Sequence, residues 1–281
     1  MNEINILELF SGIGGFSLGL QQAGFKFKNH YFSEINKHSI ANYKYNFKNA
    51  QYLGSVTNVH EWRIERPNIL TFGSPCQDFS MAGGRKGLDG AKSSLIQYSI
   101  EAIERFRPDV FIWENVKGVY STNDGADYWA VIQAFANING YRHEQQLLNT
   151  TWVLPQNRER IYHIGYLPEK CEGGVLPIGN RFTKNIQASK NKEKGIANTL
   201  STQTPGKKRC ADGTVIEDQN GIRDLTEIES ERLQGFPDNW TKYGDYNGII
   251  KEVPKSARYF MCGNAVTSLL VKEIGLKIKL F

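Results

Sequence analysis

The sequence predicts an α/β chain built on a parallel sheet with helices on both faces, and three observations lead there. Through the first 166 residues short apolar runs alternate with helical stretches, each run ends at turn-forming residues, and the first run opens into a glycine-rich turn. The runs are Ile4–Phe10, His30–Phe32, Ile69–Phe72, Val110–Trp113 and Ile161–Gly165, each short and closed near Gly, Ser, Pro or Asn, as buried parallel strands are. Between them Phe16–Ala23, Ser93–Phe106 and Trp129–Asn137 read as helices. In the second, Leu95, Ile96, Ile100, Ile103 and Phe106 recur at helical spacing.

From Leu167 to Gly221 the apolar periodicity fades and Gly, Asn, Lys, Thr and Pro accumulate, which marks a loop-rich insertion. Helical signals return after Ile222. Thr226 and Glu229 form a capping-box pattern opening Glu227–Leu233, and Thr267–Lys277 reads as a closing amphipathic helix. The expected organisation is a main domain over residues 1–166, with 258–281 packing back onto it, and a small region over 167–257.

Composition excludes several classes. No apolar run is long enough to cross a bilayer, and the start of the chain lacks a basic, cleavable leader, so an intracellular protein is expected. Cys76, Cys171, Cys210 and Cys262 are scattered without a Cys-x-x-Cys pair, and His30, His38, His60, His143 and His163 are dispersed, so no metal site is expected. Residues 181–210 hold eight basic residues against the single acid Glu193, an excess larger than the net charge of the whole chain, +5. Such a segment is either a solvated loop or a phosphate-binding surface.

The turn Phe10-Ser11-Gly12-Ile13-Gly14-Gly15 follows the first strand, where open α/β sheets bind ligands. Ser17 breaks the full dinucleotide pattern Gly-x-Gly-x-x-Gly, which disfavours a pyrophosphate cofactor. Glu34, at the end of the second strand, is spaced to take the ribose hydroxyls of a nucleoside, so an adenosine-containing cofactor is the expectation. Three further stretches sit at strand ends: Gly73-Ser74-Pro75-Cys76-Gln77-Asp78-Phe79-Ser80 with the loop Gly83–Gly87, Trp113-Glu114-Asn115-Val116, and Gln156-Asn157-Arg158-Glu159-Arg160. A lone cysteine in a Gly/Pro-rich turn is a candidate nucleophile.

Together these stretches resemble the motifs of the cytosine-5 DNA methyltransferases. Glu8–Gly15 resembles the family's cofactor loop, Pro75-Cys76 its catalytic dipeptide, Glu114-Asn115-Val116 its Glu-Asn-Val, and Gln156–Arg160 its Gln-x-Arg-x-Arg. Arg232-Leu233-Gln234-Gly235-Phe236-Pro237 and Gly263-Asn264-Ala265-Val266 match the last two signatures, all in the family's order across residues 4–272 with a gap over 167–221.

The resemblance implies a Rossmann-like S-adenosylmethionine-dependent methyltransferase fold with a small target-recognition domain, acting on carbon 5 of a flipped cytosine in duplex DNA. Cys76 would be the attacking thiolate and Glu114 the residue that grips ring nitrogen 3 and the exocyclic amine. Arg160 would contact the cytosine and Arg158 the catalytic loop or backbone. The cofactor residues implied are Phe10, Gly12, Ile13, Gly14, Gly15, Glu34, Ser55, Pro75, Asn264 and Val266. Ser55 stands where the family commonly has an Asp that holds the adenine amine. DNA contacts are expected from Gln77, Ser80, Arg85 and Lys86 in the closing loop, and from Thr199, Lys207, Lys208 and Arg209 in the basic segment. A monomer is expected in a prokaryotic or phage cytoplasm, with a restriction endonuclease as a functional partner rather than a stable complex.

Three rivals have distinguishing marks. A tRNA cytosine methyltransferase of the related branch would carry a Cys-Phe-Thr element, which the sequence lacks. A binding module without catalysis would not need Cys76, Glu114, Arg158 and Arg160 intact. A partner-dependent enzyme would explain the short recognition segment.

Overall fold

The structure is a computed structural model that describes residues 3–74, 95–179, 197–198, 216–218 and 221–281. Its first eight strands are β1 (Glu3–Leu9), β2 (Lys26–Ser33), β3 (Gln51–Tyr52), β4 (Ile69–Phe72), β5 (Val110–Val116), β6 (Arg142–Asn149), the short β7 (Gln156–Asn157) and β8 (Glu159–Tyr166). Seven of them form one sheet in the order β3-β2-β1-β4-β5-β8-β6. Strands β1 to β5 pair in parallel, whereas β8 runs antiparallel to both β5 and β6. The all-parallel expectation is therefore corrected at one edge. The chain leaves β6 through the tight turn Thr150–Trp152 and returns as β8 beside it, a connection too short for the helical crossover that a parallel pair requires.

Helices α1 (Gly15–Gln22), α2 (Lys37–Asn46), α3 (Leu95–Phe106) and α4 (Ala126–Ala136) accompany the strands. Two elements escape a pattern-based reading. The sequence of α2, KHSIANYKYN, has no apolar stripe and is started by Asn36, whose side chain accepts from the His38 and Ser39 N–H groups. Strand β6, RHEQQLLN, is polar because it forms the sheet edge. Both faces of the sheet are covered. Leu7, Leu9, Leu70 and Phe72 pack with Ile96, Ile103 and Phe135 on one side, and Ile4, Ile6 and Ile112 pack with Leu20, Val271 and Ile274 on the other.

Beyond β8 the chain stays attached to this body. Strand β9 (Cys171–Glu172) pairs with the C-terminal strand, and Val175, Leu176 and Ile178 are buried in the second core. Glu144 accepts from the Gly174 and Leu176 N–H groups, and Gln146 Oε1 from Ile178 N–H. After β10 (Ala197–Asn198), β11 (Ile216–Asp218) and β12 (Gly221–Arg223) comes α5 (Glu227–Leu233), whose Thr226–Glu229 capping box forms as its sequence predicts. The hairpin β13 (Tyr243–Tyr246) and β14 (Ile249–Glu252) lies against α2, with His38 Nδ1 2.7 Å from the Tyr246 hydroxyl.

Helices α6 (Lys255–Asn264) and α7 (Ser268–Gly275), followed by β15 (Lys279–Leu280), close the chain. α7 packs directly on α1, so closely that a Cβ at Gly19 would lie 2.5 Å from Ser268 O and from Val271 Cβ. No helix among the described residues is long and apolar enough to cross a membrane.

Candidate functional site

Strand order reverses between β1 and β4, and the carboxyl ends of β1, β4 and β5 open there onto a cavity of about 360 Å3, its open mouth included. From β1 and the following turn it is lined by Glu8, Phe10, Ser11 and Gly12, from α1 by Gly15 and Phe16, and from β4 and β5 by Gly73 and Glu114. The end of α6 and the turn after it add Asn264, Ala265 and Val266. Residues more than a hundred positions apart meet because the sheet brings its strand ends to one edge and α7 on α1 carries the C-terminal turn with it.

The turn is shaped for close approach. Phe10, at φ +51°, and Gly12, at φ +53°, are both left-handed, and a side chain at Gly12 would meet nothing within 4 Å. At Gly15 an added Cβ would lie 2.5 Å from the Val266 side chain and 2.6 Å from its carbonyl oxygen, so the glycine is required by packing of the two turns that border the cavity. Ile13 and Gly14 do not line it. Ile13 is buried with Phe32, Tyr43 and Phe236, and the Phe47 ring fills the space a Gly14 side chain would need.

Glu34 sits beside this turn at the end of β2 and accepts from Gly12 N–H (2.9 Å), Ile35 N–H (2.8 Å) and Asn36 N–H (2.9 Å). Ser55, past the end of β3, caps the turn Val56–Glu61 and accepts from both the N–H and the hydroxyl of Thr57. Gly12, Glu34 and Ser55 thus follow three adjacent strand ends. The Ser11 hydroxyl is buried at the cavity without a hydrogen-bond partner among the described residues, a polar group available to a ligand.

At the other end of the cavity Glu114 and Arg160 face each other diagonally across the antiparallel pair β5–β8, where Glu114 opposes Tyr162 and Arg160 opposes Val116. Arg160 Nε lies 3.0 Å from Glu114 Oε1, both side chains being 12% exposed. The contact is ionic without hydrogen-bond alignment, and Glu114 Oε1 keeps its acceptor capacity. Glu114 Oε2 also crowds the exit of β4: a Cβ on Gly73 would stand 3.1 Å from it.

Ser74 is the last described residue before the Pro75-Cys76 dipeptide. Trp113 Nε1 donates to its hydroxyl (3.1 Å) and Asn115 Nδ2 to its carbonyl (3.2 Å). Trp113 and Asn115 are positioning groups that sequence reasoning did not single out; their place inside the Glu-Asn-Val stretch was the available signal. Tyr162, which opposes Glu114 across the strand pair, is buried, and its hydroxyl makes no hydrogen bond among the described residues.

Arg158 has different partners. It is 3% exposed and its guanidinium donates to the carbonyls of Gly263 (3.2 Å) and Ala265 (2.9 Å), bracing the turn that supplies Asn264 and Val266 to the cavity. The sequence grouped the two arginines by their spacing. Successive side chains on a strand alternate, but i and i+2 need not share a role when a short β7 and Glu159 separate their surroundings. Pro75, Cys76, Gln77, Ser80, Arg85, Lys86, Thr199, Lys207, Lys208 and Arg209 lie outside the described residues. The histidines are less dispersed in space than in sequence, since His143 Nδ1 lies 3.1 Å from His163 Nε2, yet no group of three or more potential metal ligands forms among the described residues.

Comparison with known proteins agrees with this arrangement. The chain is 33% identical over 199 residues to the orphan methyltransferase M.Rho11sI of Bacillus phage rho11s, an alignment covering 66% of this chain and only 39% of that relative. It is 31% identical over 311 residues to the type II methyltransferase M1.ScrFI of Lactococcus lactis subsp. cremoris, covering 97% of this chain and 77% of the relative. Among solved structures, the S. pombe Dnmt2 methyltransferase superposes with a TM-score of 0.71 at 18% identity over 96% of this chain and 97% of the other, which is a likeness of fold. The sequence profile of the C-5 cytosine-specific DNA methylases matches residues 4–215 and 178–280, nearly the full length. With the motifs in order and their strand ends gathered at one edge, the chain belongs to the C-5 cytosine-specific DNA methylase family.

Proposed function

We propose that this protein transfers a methyl group from S-adenosylmethionine to carbon 5 of a cytosine in duplex DNA through a transient bond to Cys76. The observation that carries the reading is the placement of Glu114. Its carboxylate sits at the cavity, braced by Arg160, against the backbone of Gly73 three residues before Cys76. An acid at the strand exit that leads in sequence to the thiol suits a pyrimidine ring that must reach both.

S-adenosylmethionine supplies the family's electrophilic methyl group. The residues present fit it: the open Gly12, the Ser11 hydroxyl, Phe10, Asn264 and Val266 at the cavity, and Glu34 tied to Gly12. The Cys76 thiolate adds to carbon 6 of the ring, and the pair of electrons released makes carbon 5 nucleophilic. Glu114 favours the addition by donating or sharing a proton at ring nitrogen 3 and by accepting from the exocyclic amine. These contacts use the Watson–Crick edge, so the base must leave the stack. Loss of the carbon 5 proton then expels the thiolate. Arg160 keeps Glu114 in place, while Arg158 acts as a positioning residue for the cofactor wall. The charge of the basic segment 181–210 suits it to phosphate contacts. The type II and orphan phage names of the relatives favour a role in restriction-modification or phage DNA modification.

Incubating the purified chain with labelled S-adenosylmethionine and either mixed-sequence duplex DNA or tRNA tests this reading, followed by mapping of 5-methylcytosine. Label in DNA is expected; label in tRNA alone overturns the substrate. Cys76→Ser is expected to abolish turnover while leaving DNA binding within about tenfold, because phosphate contacts carry most of the affinity. A serine variant with near-normal turnover removes Cys76 from the mechanism.

A further inference from the structure

Beneath the glycine-rich turn four polar side chains from four elements meet away from solvent: Glu8 on β1, Ser17 on α1, His30 on β2 and Tyr43 on α2. Glu8 Oε2 accepts from Ser17 N–H (3.2 Å), from the Ser17 hydroxyl and from the Tyr43 hydroxyl (2.8 Å). His30 Nε2 closes the ring, 2.9 Å from Ser17 Oγ and 2.7 Å from the Tyr43 oxygen. Among the described residues the carboxyl also neighbours the Phe16 N–H and, in register on β4, Thr71, whose buried hydroxyl has no hydrogen-bond partner there. None of these groups is a cation. Burial pushes the His30 imidazole down to about 3 and holds the Tyr43 phenol well above its ordinary value, so both are neutral.

Burial likewise pushes Glu8 up to about 7, against the pull of the donors that favour its ionised form. The second acid of the cavity, Glu114, has Arg160; Glu8 has donors for a carboxylate but, among the described residues, no cation beside it. It also lines the cavity. We infer that the Glu8 carboxyl is the counter-ion for a cationic ligand in this cavity and gives up a proton as that ligand enters. The inference rests on the reading of the cavity as the S-adenosylmethionine site. That ligand carries a sulfonium and an ammonium against one carboxylate, a net positive charge, whereas S-adenosylhomocysteine lacks the sulfonium and is net neutral. On binding, the Glu8 O–H bond breaks, its electron pair stays on oxygen and the proton passes to water. His30, neutral throughout, then presents Nε2–H to the Ser17 and Tyr43 oxygens, leaving both hydroxyls free to donate to the carboxylate.

Calorimetric titration of the full chain with S-adenosylmethionine, in phosphate and in Tris between pH 6 and 8, counts the protons exchanged. Up to about half a proton should be released per ligand at pH 7, where about half of Glu8 is protonated, and Kd should rise by up to about tenfold per pH unit below that. S-adenosylhomocysteine should release less. Glu8→Gln should abolish the release. Tyr43→Phe, which deletes one donor to the ionised form and keeps the ring, should shift the release to higher pH. Tight binding with identical heats in both buffers across the range overturns the proposal and leaves the methyl-donor reading standing. An undiminished release in Glu8→Gln does the same. Failure of the unmodified chain to bind S-adenosylmethionine at all overturns both.

Discussion

Glu8 and Glu114 open onto the same cavity from strands on either side of β4, yet their surroundings differ in kind. Glu8 is enclosed by a hydroxyl, a phenol and a neutral imidazole; Glu114 is held by a guanidinium across an antiparallel strand pair. Among the described residues the one carboxyl therefore has no cation to compensate its charge, and the other has one in advance. A group that must meet a cationic ligand gains from the first arrangement, and one that must act repeatedly on an uncharged ring gains from the second. The antiparallel β8 makes the difference, since only that strand delivers Arg160 to the β5 end of the sheet.

This contrast can be broken in several places. The largest effect is expected from Glu114→Gln, which should lower kcat by roughly a hundredfold to ten-thousandfold while S-adenosylmethionine affinity changes little. A variant that keeps kcat and loses cofactor affinity instead would exchange the roles assigned to the two acids. Arg160→Ala strips Glu114 of its cation and makes it resemble Glu8. Breaking a buried pair from one side should cost about 3 kcal/mol in urea denaturation, more than the double variant Arg160→Ala with Glu114→Gln loses.

Arg158→Ala sharpens the distinction between the arginines. It removes two donors from the Gly263 and Ala265 carbonyls and should cost about 2 kcal/mol, with a weakened Kd for S-adenosylmethionine and a nearly unchanged kcat at saturation. A kcat loss as large as that of the Glu114 variant would place Arg158 in the chemistry.

The smallest effect concerns pH. Burial, with a lesser contribution from His143, pushes His163 down to about 3. Its neutral form is favoured by folding, so the stability it contributes is present above the ordinary value of 6.5 and is lost as pH falls from there towards 3. Glu8, raised to about 7, acts in the opposite sense and is most favourable to folding below 4.5. Thermal melts of the chain at pH 7 and pH 4 should differ less in His163→Gln than in the parent. An equal or larger difference in the variant would mean that His163 is already protonated in the folded state.

Much of the site was legible before any coordinates. The apolar runs located β1, β4 and β5 within a residue or a few of their bounds, because buried strands leave an uninterrupted apolar signal. Motif order placed Gly12, Glu34 and Glu114 at strand ends on one side of the sheet, since parallel strands end together, whereas Asn264 arrives there on α6. Helix α2 and strand β6 left no such trace: one depends on a cap and on the aromatic packing of Tyr43, the other is an edge whose polar face meets water.

The residue types that chemistry requires, their order and the strands that carry them were set by the sequence alone, because local periodicity and turn chemistry act over a few neighbours. Tertiary structure decided the rest. It turned Arg158 to the Gly263–Ala265 backbone and Arg160 to Glu114, reversed β8, and enclosed Glu8 with three groups drawn from residues 17, 30 and 43. Those outcomes depend on what stands across a strand pair or behind a helix, which is a property of the packed interior and not of spacing along the chain.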